Sequence, residues 1–226
     1  MCVGLMLYWK GFSDINLESS NSNSLLIHAE GLSKSFGSVV FDEISFLLNR
    51  GEALGIVGGN GSGKTTLLNI VAGLDRKYTG KLERNCKIGY VMQKAGLFPR
   101  LSCLDNMNYI CALNSIPKAI ANERIKNYAN LCDLGDFLRK RAELCSGGMK
   151  QRLNVALALL SEPDVLLLDE ATAGLDTGSR DALFHILETF MSDGEHSLIM
   201  VSHYKQEISK LCTVVLNMET GLIENV

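Results

Sequence analysis

Gly58-Gly59-Asn60-Gly61-Ser62-Gly63-Lys64-Thr65 stands directly after a short apolar run, residues 52–57, and directly before a stretch with helical patterning, residues 65–74. Strand, glycine-rich turn and helix, in that order, are the setting in which GxxxxGK[ST] holds a chain of phosphates. Glycines let successive backbone N–H groups turn inward on the α- and β-phosphates, and the helix start adds free N–H groups of its own. Lys64 is then placed to reach the β- and γ-phosphates and the Thr65 hydroxyl to ligate magnesium, with Thr66 beside it on the same turn as a further nucleotide contact.

Such a loop needs an acidic partner, and Val165-Leu166-Leu167-Leu168-Asp169-Glu170 supplies one: a buried strand that ends in two carboxylates. Asp169 would support the magnesium, and Glu170 could polarise a water toward the γ-phosphate. Acids just past a strand are ordinary loop residues when they stand alone. Paired with the phosphate loop, they read as the second half of one site.

Working outward, residues 25–28, 39–48 and 197–201 read as strands, and residues 118–132, 149–160 and 179–191 as helices. Ile125, Ala129 and Cys132 fall at helical spacing on the first of these helices, and Leu183, Ile186, Leu187 and Phe190 lie on one face of the third. Alternating strands and helices predict an α/β sheet, and the helix-rich block from about 101 to 160 predicts an inserted subdomain. The polar, Ser- and Asn-rich segment 13–24 predicts a flexible lead-in, so residues 1–24 form a tail and residues 25–226 the folded domain. Residues 1–9 are apolar, yet they have neither a leading positive charge nor a small-residue cleavage site, and so do not read as a signal peptide.

The chain has 226 residues, 46% of them hydrophobic and 21% charged, with a formal net charge of -3. That balance fits a soluble globular chain and gives no bulk attraction to nucleic acid. Its longest apolar stretches, residues 155–160 and 165–168, fall far short of the roughly 18 residues a membrane-spanning helix needs, so a membrane role would pass through a partner. Seven cysteines occur without a CxxC pair, which points away from a zinc site or a disulfide framework and toward reduced thiols.

Many families share a phosphate loop. Ser146-Gly147-Gly148-Met149-Lys150-Gln151-Arg152 narrows the choice, because a Ser-Gly-Gly turn opening a helix presents N–H groups and a hydroxyl to an anion. Alone, it would be an ordinary helix cap with flexible glycines. Together with the preceding motifs, the chain resembles the ABC ATPase family from about residue 25 to 226, with aromatic, phosphate loop, Gln, signature, Asp-Glu strand, Gly-Leu-Asp and His in the family's order.

The resemblance implies a P-loop ABC ATPase fold: a RecA-like core, an antiparallel β-subdomain and an inserted α-helical subdomain. It implies ATP and Mg2+ as cofactors. Phe36 matches the aromatic that stacks on adenine, and Gln93 the glutamine that senses magnesium and the attacking water. Ala173-Gly174-Leu175-Asp176 matches the loop that crosses the dimer interface, and His203 the histidine that contacts the γ-phosphate; His28, His185 and His196 read as structural. Partners follow from the same resemblance. A second ATPase subunit, identical or paralogous, would close its own Ser146 turn on the ATP held here, and transmembrane permease subunits would dock near Leu97, Phe98, Pro99, Leu101, Tyr109 and Ile110. The protein would then sit in the cytoplasm, peripheral on the inner face of the membrane.

Cys145 stands where the family usually has Leu, Met149 where Gln is common and Ala171 where Pro is frequent, and none of these removes a reacting group. The stretch 79–89 is short, which leaves the shape of the β-subdomain open. Glu-Ala-Thr-Ala before Gly174, and the helix end Leu157-Ala158-Leu159-Leu160, favour an exporter subunit. The alternative is a soluble ABC ATPase acting as a nucleotide-switched interaction module, against which a single uninterrupted cassette speaks.

Overall fold

The computed structural model describes residues 24–93 and 96–225, so all of the expected tail except Ser24 lies outside the described residues. The chain opens with β1 (Leu25–Ser35) and β2 (Val39–Asn49), an antiparallel hairpin, and continues through β3 (Ala53–Val57) into α1 (Lys64–Val71). Next come β4 (Thr79–Arg84), which pairs antiparallel with the free side of β1, and β5 (Ile88–Val91). The short 79–89 stretch therefore still completes a three-stranded antiparallel sheet, in the order β2-β1-β4.

Three helices follow: α2 (Cys103–Leu113), α3 (Lys118–Leu131) and α4 (Gly147–Leu159). Helix α2 begins at a reciprocal cap, in which the Ser102 side chain accepts from the Asp105 N–H and Asp105 accepts from the Ser102 N–H. Then β6 (Val165–Asp169), α5 (Thr177–Met191), β7 (Ser197–Val201), α6 (Lys205–Leu211), β8 (Val214–Asn217) and β9 (Ile223–Asn225) close the chain.

The second sheet runs β5-β6-β7-β3-β8-β9, parallel except for the β8–β9 pair. All five residues of β6 and of β7 are buried, as expected of strands covered on both faces. Their side chains divide by twos between two cores. Leu166, Leu168, Leu198 and Met200 face a core shared with the helical block, while Val165, Leu167, Ile199 and Val201 face one shared with α1 and the antiparallel sheet. Cys145 fills the position expected of a Leu at 6% exposure, its Sγ 3.7 Å from that of Cys103. Ile110, expected at a docking groove, is 2% exposed and belongs to the first core: on α2 it takes the inward positions shared with Cys103, Met107 and Cys111.

Because β5, β6, β7 and β3 are neighbours that run parallel, their C-terminal ends lie on the same edge of the sheet. That edge is the crevice in which open α/β sheets bind ligands. The phosphate loop follows β3, Gln93 follows β5, Glu170 follows β6 and His203 follows β7.

Candidate functional site

The loop from Gly58 to Gly63 leads into α1 with Gly63 at the helix cap, where its φ of +90° falls in the left-handed region. A Cβ there would stand 2.8 Å from both Val40 and Phe41, so position 63 admits glycine on grounds of both conformation and space. Among the described residues no side chain caps the first turn of α1, and no acid sits in it, the kind of helix start that suits an anion. Gly59, Asn60, Gly61 and Thr65 are exposed, with Gly58, Ser62 and Thr66 half-buried. Ser62 Oγ is buried without a hydrogen-bond partner among the described residues, an orphaned donor inside the turn. Lys64 is 5% exposed, and its Nζ donates to the carbonyls of Gly58 (2.9 Å) and Gly59 (2.8 Å).

Thr65 Oγ1 donates to Asp169 Oδ1 at 3.0 Å, which brings a hydroxyl and a carboxylate together at the start of α1. Oxygen donors of this kind suit a hard divalent cation. Burial raises the Asp169 pKa and the charge of Glu170 adds to the effect, while the bonds from Thr65 and Tyr90 and the charge of Lys64 oppose it. A cation beside Asp169 would favour the carboxylate that burial disfavours.

Glu170 has φ +48°, an unusual conformation for a residue with a side chain, and its N–H donates to the Val201 carbonyl at 3.1 Å. Strain of this type costs on the order of 1–3 kcal/mol and persists where the surroundings hold it. Here they do. Gln93 Nε2 donates to Glu170 Oε2 at 2.7 Å, and His203 Nε2 lies 2.8 Å from Glu170 Oε1. Two residues from two other loops, Gln93 and His203, thus meet on the carboxylate of Glu170, next in sequence to the Asp169 that bonds Thr65.

The signature turn is built separately. Ser146 caps α4, its Oγ accepting from the Met149 N–H at 3.2 Å, and Ser146 and Gly147 are exposed. Gly148 packs so closely on α5 that a Cβ would stand 2.1 Å from Ser179 Oγ. Asp176 caps α5, accepting from the Ser179 N–H (2.9 Å) and Oγ (2.8 Å), bonds that hold its carboxyl below the usual aspartate range. Signature turn and Gly-Leu-Asp loop therefore form one exposed unit. Among the described residues, no hydrogen bond or ion pair joins it to the phosphate loop.

Phe36 is 67% exposed at the β1–β2 turn, with Lys34 Nζ 4.5 Å from the ring centroid, so it is free to stack and is not a core residue. Several neighbours of the site carried no signal in the sequence. The Tyr90 hydroxyl lies 3.2 Å from Asn69 Oδ1 and 3.4 Å from Asp169 Oδ2, Glu219 Oε1 accepts from the Gly59 N–H at 2.9 Å, and Asn154 Nδ2 donates to the carbonyl of Met92 at 3.1 Å. The last bond ties the signature helix to the strand end that carries Gln93.

Comparison with known proteins bears on the family and the fold of the chain. A family model described as ABC transporter matches residues 41–173, more than half of the chain. An uncharacterised ABC transporter ATP-binding protein of Methanocaldococcus jannaschii is 33% identical over 86% of this chain and 74% of its own length. A spermidine/putrescine import ATP-binding protein of Bacteroides fragilis is 31% identical over 94% of this chain and 48% of its own length. A Nod factor export ATP-binding protein of Ralstonia nicotianae is 29% identical over 87% of this chain and 65% of its own length. The chain thus spans between about half and three quarters of these relatives. A solved structure described as an inward-facing, metal-chelate type ABC transporter superposes with a TM-score of 0.80 at 24% identity, covering 88% of this chain and 82% of that one, a likeness of fold.

Proposed function

Because the chain belongs to the ABC transporter family, as its ATP-binding, ATP-hydrolysing domain, we propose that it works as a dimer which drives a solute through separate transmembrane subunits. The observation that carries this reading is the meeting of Gln93 and His203 on Glu170, beside the Thr65–Asp169 pair. Glu170 holds the attacking water and takes up its proton, and His203 orients Glu170 and faces the γ-phosphate. Thr65 and Asp169, with Gln93 nearby on Glu170, would hold Mg2+, which would supply positive charge against the charge that develops on the phosphates. The P-loop residues Gly58 to Thr66 hold the phosphates, and Phe36 stacks on the adenine.

Ser146, Gly147, Gly148 and Asp176 serve the partner's nucleotide. The exposure of Ser146, Gly147 and Asp176, with Gly148 buried against α5 beneath them, on a unit that among the described residues makes no hydrogen bond to its own phosphate loop, supports a site completed between two copies or two paralogues. Export is the favoured direction, on the Glu-Ala-Thr-Ala-Gly-Leu-Asp loop and the helix end at 157–160; import is represented among the relatives as well. Among the described residues no helix is long and apolar enough to cross a membrane, which is consistent with a peripheral place on the inner face of the cell membrane, held by a permease.

The permease contact is assigned to the face in front of α2. Leu101 (37%) and Tyr109 (45%) are exposed there, and the Phe98 and Tyr109 rings meet edge to face with centroids 4.5 Å apart. Phe98→Asp would place a charge on this apolar face without touching the phosphate loop. Nucleotide binding should survive and transport should fail. Co-purification with the permease is the check: loss of the permease from the variant is expected, and recovery at the wild-type level would contradict the assignment.

A further inference from the structure

Outside the residues already assigned, one buried carboxylate joins every loop that carries a site residue on the β6 and β7 side. Glu207, on α6, is 4% exposed. Its Oε2 accepts from Thr172 Oγ1 and from Ser202 Oγ, each at 2.6 Å, and its Oε1 lies 3.2 Å from Arg180 Nε. Thr172 and Ser202 are themselves 2% and 3% exposed. A buried charge is costly unless it is paired and hydrogen-bonded, and removing it strands its partners.

Each partner belongs to a loop with a task. Thr172 is two residues past Glu170, and Ser202 immediately precedes His203. Arg180 rises from the first turn of α5, donates through Nη2 to the Leu175 carbonyl at 3.3 Å and lies 5.5 Å from the Tyr204 ring centroid. It therefore clasps the residue before Asp176 and the residue after His203. Ser202 Oγ also accepts from the Tyr204 N–H at 3.1 Å, which turns the chain directly behind the histidine.

We propose that Glu207 is a positioning residue for ATP hydrolysis, locking the His203 loop to the loop that runs from Glu170 to Asp176 so that the γ-phosphate side and the partner-facing side of the site move as one body. This rests on the ATPase reading given above. Glu207 touches no nucleotide; it acts through Ser202, Thr172 and Arg180. Short hydrogen bonds to a charged acceptor are the strong kind, and loops linked through one buried acceptor lose their mutual alignment together when it is removed.

The test compares wild type with Glu207→Ala, Glu207→Gln and Ser202→Ala in the full chain, measuring ATP bound per chain at saturation and turnover per bound ATP. Glu207→Ala should bind ATP within about threefold of the wild-type affinity and hydrolyse each bound ATP about tenfold more slowly or worse, the scale expected of a small misplacement of reacting groups. Glu207→Gln keeps an oxygen that can accept from Thr172 and Ser202, and should recover most of the rate. Ser202→Ala removes the arm from Glu207 to the His203 loop together with the bond from the Tyr204 N–H, leaves the Thr172 and Arg180 arms in place, and should slow turnover in the same direction, which keeps the test decisive if Glu207→Ala does not fold. Turnover per bound ATP at the wild-type level in Glu207→Ala and Ser202→Ala would overturn the proposal. So would losses that merely follow the number of chains able to bind ATP, with Gln no better than Ala. A wild-type chain that binds ATP without hydrolysing it would instead overturn the ATPase reading beneath.

Discussion

Lys64→Ala should weaken ATP binding by about a hundredfold or more. The ammonium is the cation of the phosphate loop, and its bonds to phosphate are charge-assisted, each worth about 1.5–3 kcal/mol. In the present structure its Nζ is engaged by the carbonyls of Gly58 and Gly59, so the substitution also releases two groups that shape the turn. Both effects act against the nucleotide. Titration calorimetry with ATP, alongside a thermal melt to confirm folding, is the check, and an affinity unchanged in a folded variant would remove the phosphate loop from the site.

Glu170→Gln should have the opposite profile, with nucleotide held and turnover lost. An amide cannot take up a proton from water, and general-base assistance is typically worth about a hundredfold or more. The amide still offers an oxygen to Gln93 Nε2, so the ring of contacts around position 170 can survive in outline. Binding gains a small term as well. The charge of Glu170 is one of the causes that raise the pKa of Asp169, and its removal favours the ionised Asp169 that a metal requires. Steady-state hydrolysis at the wild-type rate in this variant would exclude Glu170 as the base.

The parts of the fold that could be read from sequence were those with local signals. The runs before Gly58 and Glu170 are short, apolar and bounded by turn residues, and they became β3 and β6. For β1, alternation was legible only over residues 25–28, because Gly31, at φ +58°, sits in a register shift between Ala29 and Leu32 that breaks the period. Helix α2 has no boundary of its own in the sequence reading although Ser102 and Asp105 carry a capping signature, and Ile110, a candidate for the docking groove, lies in the core; one apolar side chain does not reveal which face of a helix it takes.

The site was legible as a set of motifs and not as an arrangement. Gln93 is 77 residues from Glu170, and His203 is 33 from it, so their convergence depends on the β5-β6-β7 order that brings three strand ends together. The second rank of residues was invisible for the same reason. Tyr90, Asn69, Glu219 and Glu207 act through a few individual side-chain contacts at the sheet edge, which leave no periodicity and no spacing in the chain.

A single measurement reaches the central claim, that the nucleotide is enclosed between the phosphate loop of one copy and the Ser146 turn of another: the mass of the Glu170→Gln chain by light scattering with and without ATP and magnesium. The account predicts a monomer that becomes a stable dimer when ATP is added, and the same chain carrying Ser146→Arg as well should bind ATP but remain monomeric, since a bulky cation would occupy the turn that closes on the partner's nucleotide. A Glu170→Gln chain that stays monomeric while saturated with ATP, or a Ser146→Arg version that dimerises as well as its parent, would contradict it.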